Sequence, residues 1–75
     1  MNNYKGKDLN NAKLTYMDLT SCILDEVNLD NADLHNTNLS GVSLKGATLT
    51  GANLANTDLS GADLTDADLR WAYLG

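Results

Sequence analysis

Leucine recurs every fifth residue of this chain without interruption, at positions 9, 14, 19, 24, 29, 34, 39, 44, 49, 54, 59, 64, 69 and 74, with Tyr4 in the same phase one unit earlier. A period of five suits neither regular element. In an α-helix, leucines five apart would drift by roughly 140° each time and smear around the cylinder. In a flat strand they would alternate between opposite faces. The pattern is satisfied if each pentapeptide forms one short side of a winding coil, with its leucine pointing inward and a turn following.

The other columns of the repeat support a coil. Two residues before each leucine lies a small or modest side chain, from Ala12, Met17, Cys22 and Val27 through Thr37 and Thr57 to Ala72, and only Lys7 breaks the column. The residue just before leucine is most often Asp or Asn, as at Asp33, Asn38, Asn53, Asp58, Asp63 and Asp68. After leucine come Gly41, Gly46, Gly51 and Gly61, with Asn11, Asn31, Asn36 and Asn56. These residue types tolerate the positive φ angles of tight turns. No proline is present to interrupt a backbone ladder.

Units such as Ala32-Asp33-Leu34-His35-Asn36, Ala52-Asn53-Leu54-Ala55-Asn56 and Ala62-Asp63-Leu64-Thr65-Asp66 resemble the A(D/N)LXX consensus of the pentapeptide-repeat family. The likeness covers essentially the whole chain. It implies an all-β fold, a right-handed quadrilateral β-helix with four pentapeptides per coil and about four coils. This would be a single solenoid domain over residues 1–75 with no flanking helices. The small residue two before each leucine would also point inward. The leucines would then stack in four columns: Leu9/Leu29/Leu49/Leu69, Leu14/Leu34/Leu54/Leu74, Leu19/Leu39/Leu59 and Leu24/Leu44/Leu64, with Tyr4 below the last. At the usual interstrand spacing such a block stands about 18 Å tall.

Composition narrows the function classes. A chain of 75 residues has room for one small core. With a single cysteine, Cys22, it forms no internal disulfide, and with a single histidine, His35, it assembles no Cys/His zinc cage. The net charge of −5 and the scattered Lys5, Lys7, Lys13, Lys45 and Arg70 argue against direct nucleic-acid binding. No apolar run reaches membrane-spanning length, and the start lacks a secretory hydrophobic stretch, so a cytoplasmic protein is expected. No catalytic constellation is legible, and no cofactor, metal or small-molecule substrate is expected. His35 follows an inward leucine and belongs on the outer surface, and Tyr16 reads as an isolated surface aromatic. Cys22, in the inward column, reads as an inert core thiol. The acids Asp63, Asp66 and Asp68 lack EF-hand spacing, and the Gly-rich calcium nonapeptide is absent.

Two features bear on function. Asp18 and Asp58 fall on one predicted side with Asn38 between them, and Asp63 falls on the next, forming a candidate acidic face. Some members of the family resemble B-form DNA and inhibit type II topoisomerases, so an acidic mimic acting on gyrase is one reading. Alternatively, such acids simply keep a repeat protein soluble. The second feature is the ends. An uncapped coil exposes backbone edges, and Arg70-Trp71-Ala72-Tyr73-Leu74-Gly75 departs from the consensus by placing Trp71 and Tyr73 outward. Trp71, Tyr73 and Leu74 are therefore the candidate interface, for a homodimer or another protein partner. A non-catalytic structural or protein–protein interaction module is the leading reading.

Overall fold

A computed structural model describes residues 2–75. Backbone pairing recurs at an interval of twenty residues along the chain. The short strands β1 (Asn2–Asn3) and β2 (Cys22–Ile23) pair in parallel, Asn2 with Cys22 and Asn3 with Ile23. Isolated parallel bridges continue the series at every fifth residue, from Asp8 with Asn28 to Asn53 with Tyr73. One circuit of the backbone therefore takes four pentapeptides. No helix occurs among the described residues.

Each bridge is held the same way. The leucine amide donates to the carbonyl of the residue before the next leucine in its column, as from Leu29 to Thr48 (2.7 Å) and from Leu39 to Asp58 (2.8 Å). That bridging residue donates back, as Asp58 does to Thr37 (3.0 Å). A third bond leaves the corner, as from Asn31 to Thr50 (2.9 Å). Every circuit thus sends leucine and corner amides forward along the stack, and receives bonds through its bridging residues and first turn residues.

Leucine carbonyls from Leu9 to Leu69 also accept from the amide three residues on, closing a turn, as Leu29 does from Ala32 (3.0 Å), except at Leu14. The second turn residue is left-handed at nearly every corner, with φ of 59° at Asn31, 61° at Asn36 and 71° at Gly41. Positive φ at that position defines a type II turn, which glycine and asparagine adopt with least strain. Tyr16, Glu26, Asp66 and Trp71 hold the same conformation, with φ between 59° and 63°. Ser21 is the exception. Its turn still closes from Cys22 to Leu19 (3.0 Å), but Ser21 is not left-handed and its amide makes no forward bond.

The leucines and the small column fill the interior. Leu24, Leu29, Leu34, Leu39, Leu44 and Leu49 are essentially inaccessible, together with Val27, Val42, Ala32, Ala47 and Ala52. Cys22 is buried in the same cluster. Thr37, the one buried polar residue among the described residues, donates its hydroxyl to the Leu14 carbonyl (2.7 Å), and Thr57 does the same to Leu34 (2.6 Å).

The uniform leucine core expected from the repeat is corrected at the ends. Leu9, Leu14, Leu59, Leu64 and Leu69 are only partly buried, and Leu74 is 64% exposed. End leucines have a neighbouring layer on one side only. Met17, assigned inward by its column, is 44% exposed for the same reason.

Candidate functional site

The acidic column is a consequence of how each pentapeptide satisfies its backbone. The amide of the residue after leucine points outward and takes no part in the ladder. At Asp8, Asp18, Asn28, Asp33, Asn38, Asn53, Asp58, Asp63 and Asp68 the side-chain Oδ1 accepts this amide two residues on, at 2.9–3.2 Å. This local side-chain bond is one that Asp and Asn make best, and carboxylate or amide serves equally. Where Thr48 occupies the position, the Thr50 amide is instead met by Asp30 of the preceding circuit, at 3.0 Å. No buried side-chain polar atom lacks a partner among the described residues.

Asp18, Asn38 and Asp58 pair in succession and form one column. Asp63 lies in the neighbouring column with Ile23 and Ser43, within 3.7 Å of Lys45 Nζ. The hydroxyls of Thr20, Ser60 and Thr65 donate to Asp18, Asp58 and Asp63 respectively, at 2.6 Å in each case. These hydroxyl bonds, then the backbone amides, hold the three carboxyls below the ordinary carboxylate range. The column stays ionised in neutral water, but one oxygen of each acid is committed to its own turn.

The end faces carry the remaining candidate residues. At the C-terminal end Trp71 is 81% exposed and Tyr73 62%, and both stand outward beside the exposed Leu74. Arg70 lies over the Trp71 ring at 5.4 Å and pairs with Asp68 at 2.8 Å. Trp71 is held left-handed at its corner (φ 60°), an unfavourable state for a bulky residue. The amides of Leu59, Leu64, Leu69, Leu74, Gly61, Asp66 and Trp71 donate to no protein acceptor among the described residues.

At the opposite face, sequence reasoning expected an open edge but singled out no residues. Tyr4, Leu9, Leu14, Met17, Leu19 and Leu24 line an open apolar hollow of about 140 Å³ at the N-terminal end. Around it, the amides and carbonyls of Asp8, Lys13 and Asp18 have no protein partner among the described residues. Met17 and the in-phase Tyr4 were the available signals. Tyr16 is also less isolated than its sequence context suggested, because its ring meets His35 edge-on at 5.8 Å. No cluster of metal-ligating side chains occurs among the described residues, and no helix there is long and apolar enough to cross a membrane.

Comparison with known proteins agrees with this architecture. Three solved structures share the fold. A pentapeptide repeat protein (Rfr23) from the cyanobacterium Cyanothece 51142 is 29% identical with a TM-score of 0.68, over 97% of this chain and 54% of its own. The protein alr5209 from Nostoc PCC 7120 is 30% identical with a TM-score of 0.67, over 89% of this chain and 64% of its own. HetL from Nostoc sp. strain PCC 7120, described as involved in heterocyst differentiation regulation, is 24% identical with a TM-score of 0.59, over 96% of this chain and 51% of its own. The chain thus spans between about half and two-thirds of these relatives. A search of curated proteins found no match. The model for pentapeptide repeats matches eight copies over residues 8–41 and 43–75. With nearly every residue accounted for by the five-residue unit, the chain belongs to the pentapeptide-repeat family.

Proposed function

We propose that this chain is a non-catalytic structural or protein–protein interaction module, a right-handed solenoid of nearly four coils over residues 1–75 that engages a partner through an open coil edge. The observation that carries this reading is the C-terminal face. There, unpartnered backbone amides adjoin Trp71, Tyr73 and Leu74, all more than half exposed. Exposed strand edges pair readily with other chains, and aromatic side chains anchor interfaces. The test is the mass in solution by light scattering, over a wide dilution range, with Trp71→Ala beside the parent. Association that Trp71→Ala weakens supports the reading, and a parent monomeric at every concentration refutes it.

A second reading, an acidic mimic of duplex DNA acting on gyrase, draws on the Asp18–Asn38–Asp58 column and its two ionised acids. Size weighs against it. The longest dimension of the molecule is 27 Å, about eight phosphates at a spacing of 3.4 Å along one strand. A mimic should inhibit DNA supercoiling by gyrase and lose potency when Asp18 and Asp58 become Asn. Those substitutions keep the turn bonds while removing the charge. No inhibition at high protein excess rejects this reading for gyrase.

A further inference from the structure

We infer that the two end faces fit each other, so that copies of this chain stack head to tail, the N-terminal face of one on the C-terminal face of the next. This rests on the interaction-module reading above and names its partner as a second copy.

The backbone supplies the first part of the argument. Inside the solenoid each circuit meets the next with leucine amides, corner amides and the carbonyls two before leucine. The next circuit answers with the amide and carbonyl of each bridging residue and the carbonyl of each first turn residue. At the C-terminal face the first set is left over, on Leu59, Leu64, Leu69 and Leu74, on Gly61, Asp66 and Trp71, and on the carbonyls of Thr57, Ala62, Ala67 and Ala72. At the N-terminal face the second set is left over, on Asp8, Lys13 and Asp18 and on the carbonyls of Asn10, Thr15 and Thr20. The two faces offer each other the pairing that every internal junction already uses.

Charge chooses among the possible contacts. Residues 1–20 carry Lys5, Lys7 and Lys13 against Asp8 and Asp18, whereas residues 56–75 carry Asp58, Asp63, Asp66 and Asp68 against Arg70. The N-terminal end is weakly basic and the C-terminal end strongly acidic. Two C-terminal faces brought together would oppose like charges, while the head-to-tail contact opposes unlike ones.

The register then follows from the repeat. If the second copy begins in the place of the next pentapeptide, its Lys13 stands above Asp68, and its Lys5 and Lys7 stand above Ser60 and Ala62, flanking the contact of its Asp8 with Asp63. Its Leu19 meets Leu74, the most exposed leucine, and its Leu9 and Leu14 meet Leu64 and Leu69. The apolar hollow lined by Leu9, Leu14 and Leu19 is thereby covered by leucines, as in the interior. The Trp71 amide faces the carbonyl of Thr15 of the second copy. Fifteen pentapeptides on four per circuit turn each copy by a quarter, so the contact is heterologous and leaves a free face at each end.

The experiment is sedimentation velocity over a wide concentration range, for the parent, for Trp71→Ala, and for a variant combining Lys5→Gln, Lys7→Gln and Lys13→Asn. Asn at position 13 gains the turn bond to the Thr15 amide that ten other units make, Asn3 with Lys5 among them, so this variant should melt no lower than the parent. The proposal expects parent mass to rise past two copies with concentration, and the neutralised variant to associate about tenfold more weakly. Association that stops at a closed dimer, or that the neutralised variant leaves unchanged, overturns head-to-tail stacking while the interaction-module reading stands. A monomer at every concentration overturns both.

Discussion

Truncating leucine along the stack should give a graded loss of stability that follows position rather than residue type. Leu39 is fully inaccessible, with Leu19 and Leu59 before and after it in its column. Leu39→Ala removes a fully buried side chain and leaves an enclosed cavity, at a cost of about 3–5 kcal/mol. Leu69 is half-buried at the C-terminal face. Leu69→Ala loses only part of the transfer free energy and encloses no cavity, so it should cost about 1–2 kcal/mol. Leu74, 64% exposed, should lose only about 0.5 kcal/mol on truncation. Urea unfolding followed by circular dichroism, at a concentration low enough to keep the chain dispersed, measures all three. In a stack stabilised by nearest-neighbour contacts, where Leu39→Ala lowers the midpoint so far that no folded baseline remains, Leu39→Val is the measurable substitute. Equal losses at positions 39, 69 and 74 would refute the reasoning, because they would mean that the end leucines are covered as fully as the central ones.

Three other outcomes follow from the turns and the interior. Glu26→Gly relieves a left-handed corner with φ of 59° and should raise stability by about 1 kcal/mol in thermal unfolding. Thr37→Val removes the hydroxyl donor to the Leu14 carbonyl and should cost about 1–2 kcal/mol. Thr57→Val should cost less, because the Leu34 carbonyl keeps the Thr37 amide at 3.0 Å. Asp18, Asp58 and Asp63 have carboxyls lowered by hydroxyl and amide bonds, and Asp68 by Arg70. Their contribution is therefore complete above the unfolded carboxylate range near pH 4 and is lost as pH falls through the lower folded values. A pH series of melting temperatures should stay level from neutrality to about pH 5 and drop below pH 4. The Asp18→Asn/Asp58→Asn variant should drop less.

Much of this architecture is legible in the sequence because one column, the leucines, must point one way. The five-residue period excluded helix and strand, and Gly41, Asn31 and Asn36 marked the left-handed corners that the backbone adopts. Tyr16, Glu26, Asp66 and Trp71 occupy identical corners, yet nothing in their chemistry announces it. Their conformation is imposed by the register of neighbouring units. The Asp and Asn column was visible as a pattern, but its cause, capture of the following outward amide, needs the turn geometry to be seen. Thr37 read as merely small, whereas its hydroxyl is committed to a carbonyl of the preceding circuit. At the ends, the repeat is blind to position. Leu74 holds the same place in the five-residue period as Leu34, yet it has a circuit on one side only and is exposed where Leu34 is buried.

Amide hydrogen exchange by NMR tests most directly the account of a stack whose two open faces complement each other. At low concentration, the amides of Leu29, Leu34, Leu39 and Leu44, which donate to the next circuit, should exchange slowly, and those of Leu59, Leu64, Leu69 and Leu74 quickly. At high concentration the C-terminal leucine amides should become protected together with those of Asp8, Lys13 and Asp18 on the opposite face. Protection of the C-terminal amides without the N-terminal ones would contradict head-to-tail pairing. Fast exchange at Leu34 and Leu39 would contradict the twenty-residue circuit itself.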